Sequence, residues 1–187
     1  NMLANMTRGW LEYLVQYEND GTFTPKLLAS WDVSDDAKVY TLNVRPAVMW
    51  NNGTPFTASD VARNIERFCE KDFEANSMAS RFGVMIDPDT NRAIDGVIEI
   101  FADLTVRWNL PSPDISIIAS RAEYPAAIVP EGFDAWTMLD NPVGTGPYLP
   151  DGYSPGIKGV LVRNENHTWW NAGNGAWLDR IEYVDFG

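Results

Sequence analysis

The residue types that most often carry catalysis or bind transition metals are scarce in this sequence. Among 187 residues there is one histidine, His167, and one cysteine, Cys69. A Ser-His-Asp or Cys-His catalytic constellation would depend on that histidine, which stands in a polar stretch, and we interpret the sequence as having no nucleophile elbow of the Gly-x-Ser-x-Gly kind. Zinc and iron centres usually take several His or Cys ligands. The sequence therefore predicts a protein that is not an enzyme and has no cofactor, and we interpret Cys69 as a small core residue.

Carboxylates are abundant, but their spacing singles out no site. With 26 acidic residues, some pair could resemble the two carboxylates of a glycosidase, yet no particular pair stands out. Asp87, Asp89 and Asn91 take the first, third and fifth positions of a calcium loop. Arg92 stands where that loop needs glycine, and Ile98 where it needs glutamate. We interpret this stretch as a solvated turn and predict no metal site.

Charge and aromatic content narrow the classes of partner. The formal net charge of −12 argues against nucleic acid, whose binding relies on clustered Lys and Arg, and favours a soluble monomer. No run of about 18 apolar residues is present, so the sequence predicts no transmembrane helix. Eight tryptophans keep a second class open, a carbohydrate-binding module or carbohydrate-active enzyme, which would display exposed Trp side chains beside a carboxylate pair.

The stretch NPVGTGPYLP, residues 141–150, combines rigid and flexible backbone positions. Its three prolines fix φ and remove amide donors, whereas Gly144 and Gly146 permit positive φ and close approach of another surface. Thr145 lies between the two glycines. The residues alone leave two interpretations open, a tight turn between strands and a backbone platform that faces a ligand.

The elements that would position these residues are mixed in type. Helical spacing predicts an amphipathic helix over Leu3–Val15 and a second over Ala58–Lys71, which Thr57 caps with Asp60 three residues on. Alternation of apolar and polar residues predicts a strand at Tyr40–Val44. Further expected elements are a hairpin of Val97–Phe101 and Leu104–Leu110, a short helix at Ile115–Arg121, and strands at Gly159–Arg163 and Arg180–Phe186. Strands and helices without regular alternation favour an α+β chain, or an α/β chain with insertions.

Three stretches resemble, in order, the motifs of the family 5 extracellular solute-binding proteins. They are LLASWDVSDDAKVYTLNVRPAVMWNNGTPFTASDVARNIER (27–67), NPVGTGPY (141–148) and VLVRNENHTWWNAGNGAWLDRIEY (160–183). The usual Tyr-Trp pair of the third motif is Trp169-Trp170 here. Members of this family deliver peptides, nickel chelates or oligosaccharides to ABC importers.

The resemblance implies a fold and a division of the chain. The expected fold is α/β with mixed α+β character, a type II periplasmic-binding-protein-like lobe with a mixed sheet, flanking helices and a smaller inserted subdomain. Residues 12–96 would form that smaller subdomain, and residues 1–11 and 97–187 would belong to the ligand-facing main subdomain. On this expectation the chain is an N-terminal lobe without its second lobe.

The resemblance also implies partners and site residues. The protein would be periplasmic or extracellular, and it would bind a peptide or other small solute and dock on ABC permease subunits. In peptide-binding relatives the position matching Thr145 faces the ligand, which makes Gly144, Thr145 and Gly146 candidate contacts through main-chain pairing. Met78, Arg81 and Phe82 align with a region where relatives place an aromatic residue against the ligand. Their alternative role is local packing.

Overall fold

The computed structural model describes residues 2–74, 76–122 and 124–186. The chain divides into two compact units. Unit 1 comprises Asn1–Glu12, Ala47–Phe56 and Val129–Gly187, and unit 2 comprises Tyr13–Pro46 and Thr57–Ile128.

Unit 2 is built on a four-stranded antiparallel sheet with the strand order β3-β4-β6-β5. Alternation along β4 buries Tyr40, Leu42 and Val44, which confirms the predicted strand and the face it turns to the core. A two-stranded antiparallel ribbon, β1-β2, precedes the sheet. The strands of this unit are β1 Val15–Tyr17, β2 Phe23–Pro25, β3 Leu28–Val33, β4 Val39–Val44, β5 Ile98–Ala102 and β6 Thr105–Asn109.

Helix α2, Ala58–Cys69, packs its apolar stripe on β5 and β6 of this sheet. Its start is the predicted one, because the Asp60 carboxylate accepts the backbone N–H of Thr57 at 2.9 Å in a capping box. The stripe of Val61, Ile65 and Phe68 is buried, and so is Cys69, as predicted. The helix ends two residues earlier than the apolar spacing predicted.

The remaining helical segments of unit 2 are single 3-10 turns. They lie at Ala79–Arg81, Gly83–Met85, Ala119–Ala122 and Tyr124–Ala126. The short helix expected at Ile115–Arg121 is therefore limited to a 3-10 turn that begins at Ala119. The hairpin expected around Ala102-Asp103 is confirmed as β5-β6.

Unit 1 contains helix α1, Met2–Thr7, and an antiparallel sheet with the strand order β7-β8-β9. The strands are β7 Tyr148–Ser154, β8 Lys158–Arg163 and β9 Arg180–Val184. Strands β8 and β9 were predicted, whereas β7 was not, because Pro150 and Gly152 interrupt its pattern. Helix α1 packs on β8 where Gly159 leaves room, since a Cβ there would lie 2.0 Å from Met6 Sδ.

The predicted helix over Leu3–Val15 is wrong beyond Thr7. The chain turns at residues 8–10, and the carbonyls of Gly9 and Trp10 accept the backbone N–H groups of Tyr148 and Gly146, each at 2.9 Å. A continued helix would occupy those carbonyls internally. Pairing with a distant segment therefore overrides the helical periodicity of this stretch.

The boundaries of the two compact units differ from those of the expected subdomains. The smaller subdomain was expected at residues 12–96, and the main subdomain at residues 1–11 and 97–187. Strands β5 and β6, which follow residue 96, pair with β4 in one sheet and belong to unit 2. Residues 1, 75, 123 and 187 of the expected ranges lie outside the described residues. The assignment of subdomains within a lobe stays a prediction.

Candidate functional site

The Gly144–Gly146 segment lies inside unit 1 against the main chain of Gly9 and Trp10. A Cβ at position 144 would stand 1.8 Å from the Trp10 carbonyl oxygen, and one at position 146 would stand 2.6 Å from the Gly9 carbonyl oxygen. No side chain fits at either place. Both glycines are buried, so the close approach inferred from the sequence is made by another part of this same unit.

Asn51 fixes the same segment from its other side. Its backbone N–H donates to the Gly144 carbonyl at 2.8 Å, and its side-chain amide donates to the Pro142 carbonyl at 2.9 Å. Asn51 follows the buried Trp50 in the turn that the sequence predicted around Asn52-Gly53. The polar main-chain groups of the segment are therefore mostly engaged within unit 1.

Thr145 is 1% exposed, and its hydroxyl has no hydrogen-bond partner among the described residues. Its carbonyl oxygen lies 3.0 Å from Nε2 of His167. Because a carbonyl only accepts hydrogen bonds, Nε2 of His167 carries the proton. The single histidine of the chain thus forms a hydrogen bond between the polar loop after β8 and the Gly144–Gly146 segment. Sequence analysis did not predict this contact.

A second arrangement in unit 1 joins the Trp169-Trp170 pair to Glu12. The two indole N–H groups donate to the two oxygens of one carboxylate, Trp169 at 3.1 Å and Trp170 at 2.9 Å. The rings are 5.8 Å apart and inclined at 60° to each other. Sequence analysis did not single out Glu12, because that residue lay within the helix predicted for this stretch.

Trp169 also borders a cleft of about 270 Å³ in unit 1. Trp177 and Pro147 contribute apolar surface to its wall, and Arg163, Glu165 and His167 contribute polar groups. The cleft combines aromatic surface with charge, the usual composition of a small-molecule site.

Met78, Arg81 and Phe82 lie in unit 2, around the 3-10 turn Ala79–Arg81. Met78 and Phe82 are 2% and 0% exposed, and Phe82 packs its ring against Phe68 of α2 at 5.4 Å. Arg81 is exposed and donates to the Ser77 carbonyl at 3.2 Å. Two of the three candidates thus pack in the core of unit 2, and their contact with a ligand stays a prediction.

The pentapeptide Gly152–Gly156 matches the Gly-x-Ser-x-Gly pattern of hydrolase nucleophiles, although the sequence was interpreted as having no such nucleophile elbow. In the structure it covers the end of β7 and the start of the turn to β8, with Ser154 exposed and paired with Lys158 across the ladder. That pattern requires a strand-to-helix turn, and His167 is bonded elsewhere, to the Thr145 carbonyl. The match therefore carries no nucleophile.

Metal sites and membrane-spanning helices are two further possibilities, and the described ranges 2–74, 76–122 and 124–186 bear on both. There, no three His, Cys, Asp or Glu side chains gather closely enough to hold a metal ion. In the same ranges no helix has the length and apolar content needed to cross a membrane.

The tryptophans, on which the carbohydrate alternative rested, are divided between core and surface. Trp10, Trp50 and Trp108 are buried, whereas Trp136 and Trp177 are 95% and 71% exposed. Their burial alone therefore does not choose between a carbohydrate site and another function.

Comparison with known proteins decides the family. Residues 22–186 match the family described as bacterial extracellular solute-binding proteins, family 5 middle. The chain belongs to this family. The resemblance carried by the three sequence motifs is thereby confirmed, and nothing in the comparisons supports the carbohydrate alternative.

Individual relatives are binding proteins. Di/tripeptide-binding protein 1 of Pseudomonas aeruginosa is 31% identical over 84% of this chain and 32% of its own length. A probable peptide ABC transporter periplasmic-binding protein of Sinorhizobium fredii is 26% identical over 76% of this chain and 25% of its own length. The structure of AgaA from Agrobacterium tumefaciens R10 in complex with agropinic acid is 27% identical, with a TM-score of 0.77 over 99% of this chain and 35% of that one.

These matches bear on the fold and on the extent of the chain. The mixed α/β architecture of a type II periplasmic-binding-protein lobe is confirmed. The chain spans a quarter to about a third of the length of these relatives.

Proposed function

We propose that this chain is part of the substrate-binding component of an ABC importer, which captures a peptide or similar solute and delivers it to a membrane permease. The observation that carries the proposal is the family match across residues 22–186. The names of the relatives, a di/tripeptide-binding protein and a peptide ABC transporter periplasmic-binding protein, support a peptide as the solute. On this proposal the protein acts in the periplasm or outside the cell as a monomer and performs no reaction.

Capture by such a protein rests on shape and a few polar groups. A solute that fits between two lobes binds the closed form better than the open form, and it therefore shifts the hinge equilibrium towards closure. Main-chain hydrogen bonds to an extended peptide supply affinity that is independent of the side chains. This mode needs no acid, base or metal, which agrees with the scarcity of histidine and cysteine.

Mass spectrometry of solute that co-purifies with the full-length protein tests this proposal. We expect peptides of defined length, released on denaturation, and calorimetry with a synthetic copy should then show saturable binding. An oligosaccharide as the only co-purifying solute, or no heat with a library of short peptides, would contradict the proposal.

The proposed contacts remain Gly144, Thr145 and Gly146 in unit 1 and Met78, Arg81 and Phe82 in unit 2. Arg81 is exposed, and a guanidinium is suited to pair with a solute carboxylate. Thr145 has a hydroxyl without a partner among the described residues, which leaves it available to a polar group that reaches it. The other four proposed residues are buried, which argues that they support the binding surface rather than contact the solute over a wide area. They are Gly144, Gly146, Met78 and Phe82.

Two substitutions separate a solute contact from a packing role. Thr145→Val keeps the volume and removes an unpaired buried hydroxyl, so stability should hold or rise by about 1 kcal/mol while solute affinity falls. Arg81→Gln should weaken binding of solutes with a free carboxylate, whereas Arg92→Gln, at another exposed arginine of unit 2, should not. Unchanged affinity in either variant removes that residue from the set.

A further inference from the structure

The cleft beside Trp169 is a place in unit 1 that the proposed solute capture does not use. It has a volume of about 270 Å³, slightly below the range of roughly 300–1,000 Å³ typical of drug-sized ligands. Its size therefore suits one small headgroup rather than an extended molecule.

Aromatic surface forms part of the wall. Trp177 is 71% exposed, and its indole lines the cleft together with that of Trp169. A Cβ at Gly175 would come within 3.1 Å of Cη2 of Trp169, so glycine at this position allows the main chain to approach the ring closely. The carboxylate of Glu12 holds Trp169 through its indole N–H, which orients the ring.

The charges around the cleft are predominantly negative. Arg163 donates from Nε to Glu165 at 2.8 Å and from Nη2 to the Asp179 carboxylate, so two carboxylates face one guanidinium. The remaining nitrogen, Nη1, donates to the Ala176 carbonyl at 3.1 Å. Since the arginine that lines the cleft is engaged in this way, its charge is compensated, and the Glu12 carboxylate that accepts both indole N–H groups adds a further negative charge nearby.

We propose that this cleft binds a substituted ammonium group between the indoles of Trp169 and Trp177, with Glu165 supplying charge. An organic cation over an indole face is attracted by the ring quadrupole, and nearby carboxylates strengthen that attraction. The ammonium group belongs either to a free organic cation or to the amino group of a peptide. This site is separate from the proposed solute contacts and does not depend on them.

Choline and its uncharged analogue of the same shape, 3,3-dimethylbutan-1-ol, test the proposal in the full-length protein. Calorimetry should show choline binding with a Kd of roughly 1 mM and the alcohol binding at least about tenfold more weakly. Equal binding of both compounds, or no choline binding up to about 50 mM, would overturn the proposal.

Variants at two exposed tryptophans locate the site. Trp177→Ala should weaken choline binding about fivefold or more, and Glu165→Gln should weaken it to a smaller extent. Trp136→Ala removes an even more exposed indole outside the cleft and should leave binding unchanged. If Trp136→Ala matches Trp177→Ala, choline binds surface indoles without a site and the proposal fails.

Peptides distinguish the two sources of the ammonium group. The readout is the indole Nε1–H resonance that disappears in Trp177→Phe, which reports the cleft and not the solute site. A shift with trialanine but not with N-acetyl-trialanine assigns the group to a peptide amine, and a shift with choline alone assigns it to a free cation. Failure of these titrations leaves the proposed importer function untouched, because that function is read from the co-purifying solute.

Discussion

Gly144 has the tightest backbone approach among the described glycines of unit 1. Replacing it by alanine would place a methyl group 1.8 Å from the Trp10 carbonyl oxygen, which lies in the main chain and cannot rotate away. We expect Gly144→Ala to destabilise the protein by about 3 kcal/mol or more, within the range of severe steric substitutions.

Urea denaturation monitored by tryptophan fluorescence measures that change. The matched control is Gly152→Ala in β7, where no atom lies within 4 Å of the added Cβ and the cost should stay within about 0.5 kcal/mol. Similar losses in both variants would show that the contact with Trp10 is not what makes glycine necessary at position 144.

Glu12 offers one carboxylate to two indole donors. In Glu12→Gln one of the two oxygens becomes an amide NH₂, which cannot accept, so either Trp169 or Trp170 loses its acceptor. We expect a loss of about 1–3 kcal/mol and a changed near-ultraviolet circular dichroism from the Trp pair. Glu131→Gln, at an exposed glutamate of the same unit, should change neither quantity.

At the scale of elements, helix α2 depends on its first turn. Asp60 accepts the Thr57 N–H and places a negative charge near the positive end of the helix. Asp60→Ala should therefore cost about 0.5–2 kcal/mol of unfolding free energy, measured by chemical denaturation. Glu66→Ala, on the exposed face of the same helix, should cost less, and the reverse order would contradict the capping role.

Strands β7, β8 and β9 carry a row of exposed charges whose titration can be predicted. Hydrogen bonds from Lys158 and then from Arg180 lower the pKa of Glu182 below its ordinary value of 4.5. Because the folded pKa is the lower one, the stabilisation is present above about pH 4.5 and is lost as the pH falls through the folded pKa.

An NMR titration of the Glu182 side-chain carboxyl carbon checks this expectation. We expect a midpoint below 4.5 that moves upwards in Lys158→Met, because the strongest hydrogen-bond donor to Glu182 is then absent. A midpoint at or above 4.5 in the unsubstituted protein would show that solvent weakens these exposed contacts in solution.

At the scale of the whole chain, the net charge of −12 sets the long-range interactions. We expect no binding to double-stranded DNA at about 150 mM salt, because counterion release requires clustered Lys and Arg. Fluorescence anisotropy of a labelled DNA duplex, titrated with the protein, measures this binding. Binding that weakens steeply as salt is raised would reveal a basic surface that the charge of the chain does not suggest.

The sequence by itself determined the elements whose signals are local. Helix α2 was predictable because a cap, a charged first turn and an apolar stripe agree within the short stretch Thr57–Cys69. Strand β4 and the β5-β6 hairpin were predictable for a similar reason, since alternation and a turn specify both pairing and face. The three ordered motifs likewise identified the family, because their residue types and order can be compared without coordinates.

The tertiary structure alone decided which surfaces are open. Residues 3–15 have helical periodicity, yet the chain leaves the helix at Thr7 because Gly9 and Trp10 pair with a segment more than 130 residues away. Thr145 and Met78 have residue types that suit a binding surface, yet both are buried. Burial depends on which distant segment packs against a residue, and local sequence carries no record of that partner.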